Sequence, residues 1–245
     1  MSHFTVRPLI ALSVAIFIVG AARVSAVPYY YTDWTTANPG LGTASGVITL
    51  PDLSTVTVNF QALNANGSAG SFFFAQTNGG TNYWNPSTPY ISAQVDNAPP
   101  GTDLVALIGG QNQTYKVTLS EAIKDPIMSI VSLGAPGTNT LYDFDSPFTI
   151  VSQGVGFWGG GPNALDQLPG DVLRGNEGHG TIQFIGTFPT FSWTVPAGEN
   201  WHGFTFAIRT TERIEPSGVP DETSAVGLMA LSLAALVALR RKFST

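Results

Sequence analysis

The chain has no cysteine. Disulfides, thiol catalysis and cysteine-ligated zinc are therefore excluded, and the fold must be held by packing and sheet hydrogen bonds. Charge is scarce too. Asp, Glu, Lys and Arg make up 11% of the residues, against about 25% in typical domains. The shortage is greatest among the cations. Within residues 27–218 only Lys116, Lys124, Arg174, Arg209 and Arg213 oppose fourteen carboxylates, a net charge of −9. So acidic a region is a poor nucleic-acid binder, because phosphate neutralisation needs Lys and Arg. Between the two ends of the chain there is no sustained helical periodicity and no internal repeat, so a solenoid or propeller is not expected. The one helix-like stretch is LSEAIKDP (119–126), which Pro126 would end. The G-x-S-x-G, G-K-[ST] and H-E-x-x-H signatures are also missing.

What is present is β-forming sequence. STVTVNF (54–60) alternates Val56, Val58 and Phe60 with Thr55, Thr57 and Asn59, and QTYKVTLS (113–120) alternates Tyr115, Val117 and Leu119 in the same way. Period two puts one face in a core and one in water. Further short runs begin at Ile127, Thr181, Phe191 and His202, and turn residues separate them at Pro136, Gly159, Leu168 and Val195. Residues 64–74 and 85–103 read as longer loops. Many short strands at this spacing predict an all-β fold, an antiparallel β-sandwich of jelly-roll type, over residues 27–208. A polar linker is expected at 209–218.

Several polar and aromatic groups are candidate sites. Glu177 and His179 are two apart and would share a strand face, with His202 approaching from a neighbouring strand, which suits a two-histidine, one-carboxylate metal site. The alternative is that Glu177 and His179, set among Gly175, Gly178 and Gly180, close a tight turn by hydrogen bonds. His202 would then be a half-buried strand residue bonded to backbone. Asp143 and Asp145 also share a face. They would either help to hold Ca²⁺ or stand as solvated loop carboxylates. No cofactor or metal is otherwise expected. Trp84, Trp158 and Trp201 lie in or beside Gly- and Asn-rich loops. Indoles in such places stack on sugar rings, or else plug the ends of the sandwich.

The two ends are of a different kind. Arg7, an apolar run over 9–22 and the small-residue pattern Val24-Ser25-Ala26 make a secretory signal peptide, residues 1–26, with cleavage between Ala26 and Val27. At the other end, residues 225–239 carry no charge and a single polar side chain, Ser232. As a helix they would span roughly 22 Å, short of the bilayer core of about 30 Å. Arg240, Arg241 and Lys242 follow and would hold the C-terminus in the cytoplasm.

The order Val219-Pro220-Asp221, apolar helix and terminal basic cluster, over 219–245, resembles the PEP-CTERM class of sorting signals, in a Val-Pro-Asp variant. The strings LRGNEGHGTIQFIG (173–186), IMSIVSLG, GFWGGG and WHGFTFAI resemble a recurrent core of some exported PEP-CTERM proteins over roughly residues 114–208. The resemblance implies a signal peptidase and an exosortase as partners and export from a Gram-negative, exopolysaccharide-making bacterium. It further implies a precursor anchored in the inner membrane by the C-terminal helix, then release to the cell surface or extracellular matrix. The function expected is a non-enzymatic structural or adhesive one in exopolysaccharide or biofilm. A lectin-like carbohydrate-binding module is the alternative. A polysaccharide hydrolase is a second, since glycosidase carboxylates have no fixed sequence spacing.

The tail gives a direct test. In a host with the matching exosortase, mass spectrometry of the surface protein should find a C-terminus near residues 219–223. Replacing Pro220 and Asp221 by alanine should leave full-length precursor in the inner membrane. An intact Thr245 in the wild-type surface protein would identify the tail as a plain anchor.

Overall fold

The computed structural model describes residues 28–138 and 140–209. The expected signal peptide, most of the linker and the sorting tail lie outside them. Among the described residues no helix is long and apolar enough to cross a membrane. In chain order the strands are β1 (Tyr30–Tyr31), β2 (Asp33–Asn38), β3 (Thr43–Thr49), β4 (Thr55–Asn64), β5 (Phe74–Gln76), β6 (Leu104–Leu107), β7 (Gln113–Lys124), β8 (Ile127–Leu133), β9 (Thr140–Phe144), β10 (Phe148–Gln153), β11 (Leu165–Leu168), β12 (Val172–Gly175), β13 (Gly178–Phe184), β14 (Thr187–Thr194) and β15 (His202–Ile208). Short 3-10 turns occur at Pro39–Leu41 and Thr88–Tyr90.

The chain is all-β and forms two antiparallel sheets. One runs β10-β13-β8-β15-β6-β5, with β1 also on β15; the other runs β11-β12-β9-β14-β7-β4-β3-β2. A simple pattern underlies these orders. The outgoing strands β6, β7, β8 and β9 pair with the returning strands β15, β14, β13 and β12 respectively. Successive members of each series alternate between the sheets. The central eight strands are thus one long hairpin rolled on itself, closed by the extra pairs β15·β8 and β14·β9. The meander β2-β3-β4 widens the second sheet.

The inner faces meet in one aromatic core. In β4, Val56, Val58, Phe60 and Ala62 are buried and the residues between them are exposed, as period two requires. Phe204 of β15 crosses the gap to Trp193 of β14 (5.1 Å between centroids, 88° between planes), to Phe60 of β4 (5.4 Å) and to Trp34 of β2 (6.3 Å). Phe191 and Phe206 pair at 4.4 Å. Such pairs contribute about 0.5–1.5 kcal/mol each beyond the area they bury.

Strands β8 and β15 do not alternate: every residue in both is buried. Their outer faces are covered by the segment that precedes β6. There Trp84 and Tyr90 pack on Leu104, Ala106 and Val131, while Val95, joined by Tyr29 from just before β1, packs on Ile127 and Ala207. The last described residue belongs to this layer as well. Arg209, expected in the linker, lies over the Tyr29 ring at 4.5 Å and donates to the Gln94 carbonyl.

The helix-like stretch over 119–126 instead forms the end of β7, to Lys124, and the turn that follows. Thr190 of β14 pairs with Thr118, but Phe188 pairs with Ile123, so β7 runs further than its partner between the two pairs and bulges. Leu119 and Ile123 both face the core, at a spacing that mimics a helical stripe. Pro126 follows a turn in which the Asp125 N–H donates to the Gly186 carbonyl and the Asp125 carboxylate accepts from the Gly186 N–H.

One carboxylate holds β2 to the start of β6. The Trp34 N–H donates to Asp103 Oδ2 at 3.1 Å. Burial pushes the Asp103 pKa up to about 6; the bond from Trp34 opposes this and nearby Asp33 adds to it. A raised carboxyl pKa stabilises the fold fully below its unfolded value of about 3.9, and that stabilisation is lost as the pH rises through about 6. Asp103→Asn keeps an acceptor for Trp34 without the charge. It should raise stability at pH 7 by about 1 kcal/mol after allowing for solvent screening. The gain should vanish near pH 4 in denaturant titrations. A variant less stable than wild type at pH 7 would contradict this account.

Candidate functional site

Three loops bring aromatic residues together beyond the outer face of the first sheet. The loop after β5 carries Tyr83, the loop after β10 carries Phe157 and Trp158, and the loop before β15 carries Trp201. Tyr83 and Trp158 stack at 5.1 Å with 23° between their planes. Trp201 meets Trp158 edge-on at 4.7 Å and Tyr83 at 5.1 Å. Phe157 adjoins Trp158 at 4.6 Å, and Phe74 of β5 extends the group from Trp201 to Phe73. The group stays open to solvent: Phe157 is 40% exposed, Trp158 44% and Phe73 49%. Contiguous exposed aromatics are a common feature of contact surfaces.

Glycine builds the loop that carries Trp158. The run Gly154 to Gly159 has the spacing G-x-G-x-x-G. No helix follows it, so it lacks the helix N-terminus that makes such a run a dinucleotide site. Instead Gly156 and Gly159 exchange backbone hydrogen bonds at 2.8 and 3.1 Å, and Phe157 and Trp158 form the tip. Gly156 lies flat on the ring of His179, where an added Cβ would collide with the imidazole.

His179, fully buried in β13, is therefore the floor of this loop. Its Nδ1 accepts from the Ser132 N–H at 3.3 Å, which leaves the proton on Nε2, facing Glu177 Oε1 at 3.6 Å. The Tyr90 hydroxyl lies 3.4 Å from Nδ1. Glu177 sits in the turn before β13 at φ 57, with its N–H on the Gly134 carbonyl and its carboxylate accepting from the Ser132 hydroxyl. Burial acts to raise the Glu177 pKa, but the His179 ring and the Ser132 hydroxyl outweigh it and hold it below the ordinary glutamate range. Its contribution to stability is present above that ordinary range and is lost as the pH falls through the depressed value. A second Glu–His pair anchors the Trp201 loop. His202 Nδ1 lies 2.8 Å from Glu199 Oε2, which also accepts from the Gly134 N–H at 3.0 Å. The end of β8 thus ties both tryptophan loops to one point.

The sequence-predicted residues divide accordingly. Trp158 and Trp201 are brought together. Trp84 is a correction: it is 1% exposed, donates from Nε1 to the Asp103 carbonyl and stacks edge-on against Tyr90, so it supports the site from below and offers no face to a ligand. His202 is a second correction. It is fully buried against Tyr142 and bonded to a carboxylate rather than to backbone. Glu177 lies in the turn and His179 two residues on in β13, each engaged by Ser132. Asp143 and Asp145 are exposed, and Asp145 accepts from the Ser192 N–H, the Ser192 hydroxyl and the Ser146 hydroxyl. Among the described residues no group of three or more His, Asp or Glu side chains is placed to hold a metal ion. Ala26, Val27, Val219, Pro220, Asp221, Arg240, Arg241 and Lys242 lie outside the described residues. Sequence reasoning missed Phe73 and Phe74, which join the patch, and Glu199, whose i, i+3 spacing to His202 was the available signal.

Gly156→Ala tests the floor. The new methyl must push the loop off His179, at a cost of about 1–3 kcal/mol. Thermal denaturation should show the loss, and acrylamide should quench the indoles of the displaced loop more strongly. A variant with wild-type stability and quenching would mean that the loop does not rest on His179.

No protein-family model, curated protein or solved structure matches this chain.

Proposed function

We propose that this chain is an exported, non-enzymatic surface protein that adheres to exopolysaccharide through the Tyr83, Trp158 and Trp201 patch. In this reading the signal peptide sends it out, and the Val219-Pro220-Asp221 signal hands it to an exosortase at the inner membrane. The β domain then works at the cell surface or in the extracellular matrix. The pairing of β6 to β9 with β15 to β12 supports a jelly-roll description of that domain.

The observation that carries the proposal is the exposed ring cluster with Trp158 at its tip. Aromatic rings offer apolar faces that match the C–H faces of sugars, and their rigidity limits the entropy lost on binding. The cluster joins the structural and lectin-like readings into one: adhesion by sugar contact. The hydrolase reading has less behind it. Glycosidases need a carboxylate pair at the scissile bond, whereas the side chains that form the exposed cluster are aromatic.

Cell fractionation tests the proposal. Wild-type protein should stay with the extracellular polymer of the host, and a Trp158→Ala, Tyr83→Ala double variant should be lost to the medium. Equal retention of the two would overturn the assignment of adhesion to this patch.

A further inference from the structure

We infer that the patch takes an uncharged polysaccharide, built of pyranoses with equatorial substituents, and disfavours uronate polymers. The inference rests on the adhesive reading above and names the chemical class of its ligand.

Charge is the first property that favours a neutral ligand. Residues 53–95, which supply Phe73, Phe74 and Tyr83, contain no Asp, Glu, Lys or Arg. Neither do residues 146–165, which supply Phe157 and Trp158. In the Trp201 loop the one ionisable carboxylate is Glu199, whose side chain is 2% exposed and turned inward onto His202. The loops that form the patch therefore offer no cation to a carboxylate or sulfate ester. Beneath the patch lie two carboxylates, Glu177 and Glu199, within a region of net charge −9. An anionic polymer would meet repulsion with nothing to offset it.

The second is the kind of polar group at hand. Exposed Asn78, Thr81, Asn82, Asn85 and Asn200 flank Tyr83, Trp84 and Trp201 in sequence. Amides and hydroxyls both donate and accept, as sugar hydroxyls do, and are neutral at every physiological pH. The third is shape. Trp158 rests on Tyr83 and beside Phe157 and Trp201, yet keeps 44% of its surface exposed. A broad indole held rigid in this way suits a flat C–H face, which a pyranose presents on both sides when its hydroxyls are equatorial, whereas an axial hydroxyl blocks the side on which it stands.

The test uses the full chain in a non-ionic detergent whose headgroup is not a sugar. Beads carrying hydroxyethyl cellulose or polygalacturonate serve as the neutral and anionic probes. Wild type should bind the neutral beads, with Trp158→Ala reducing retention about tenfold and Trp158→Phe by less. Retention should be unchanged between about 0.02 and 0.5 M salt, because screening acts only on charge. Thermal melts of each variant should match wild type, which separates loss of contact from loss of fold. Preference for polygalacturonate would overturn the inference and leave surface adhesion standing. Binding to neither polymer, with Trp158→Ala abolishing self-association in sedimentation, would show that the patch serves a second copy of this chain. Binding to neither, together with equal retention of both proteins in the cell fractionation, would remove the adhesive reading as well.

Discussion

Strands β8 and β15 are buried on both faces, and the layout of the outer layer follows from that constraint. A sheet in a two-layer protein normally leaves one side wet. Here Ile127, Val131 and Ala207 point away from the inter-sheet core and would be exposed if the sheet stood bare. The long segment between β5 and β6 cannot wander as a solvated loop. Its Trp84, Tyr90 and Val95 are drawn onto those residues, and the 3-10 turn at Thr88–Tyr90 is the fold that seats Tyr90 there. Once Trp84 is buried, its neighbour Tyr83 must emerge at the margin of the covered area. The loop after β10 reaches the same margin because its floor, His179, faces the same covering layer through Tyr90. The aromatic patch is thus the rim of a hydrophobic cover.

The inner core solves a different problem. With no disulfide to restrict the unfolded chain, the two sheets depend on side-chain packing across the gap. Phe204 touches Trp193, Phe60 and Trp34 from the opposite sheet, and the neighbouring pair Phe191 and Phe206 repeats the contact one step along. Rings fill the space in large units with few rotatable bonds, so each contributes burial at small entropic cost. The rolled hairpin helps. β14 and β15 are consecutive in the chain yet lie in opposite sheets, so Phe191 and Trp193 meet Phe204 and Phe206 across a short connection.

How much of this could be read beforehand depended on whether a strand faces water. β4 and most of β7 announce themselves by alternation, because one side is solvated. β8 and β15 were legible as apolar runs, but their two-sided burial was not, since it depends on a segment distant in the chain. The bulge in β7 produced a false helical signal at Leu119 and Ile123, a tertiary effect with no local mark. At the site, Trp158 and Trp201 could be singled out as indoles in loops. That Trp84 is fully buried and Tyr83 only partly so could not, because the two are adjacent and chemically alike. Trp84 turns inward, where it packs on Tyr90 and its Nε1–H donates to the Asp103 carbonyl. Glu199 went unnoticed although it stands three residues before His202. Its partner His202 begins a strand, and the loop that brings the carboxylate back has no regular period.

The two Glu–His pairs explain why a patch on loops can nevertheless be rigid. Ser132 is held at φ 60 and Glu177 at φ 57, backbone conformations that non-glycine residues avoid unless their surroundings impose them. Here the surroundings are each other. The Ser132 N–H and hydroxyl are engaged by His179 and Glu177, and the following Gly134 gives its N–H to Glu199 and its carbonyl to Glu177. Every one of these bonds lies at the end of β8, and none reaches the exposed rings directly. They fix the ground on which Gly156 rests and from which Trp201 departs. Among the described residues Nε2 of His179 and of His202 makes no hydrogen bond, so the network is held through Nδ1 of each ring and the two carboxylates. The tryptophans are therefore free to face outward without being free to move, which is the condition for a surface ring to bind with little loss of entropy.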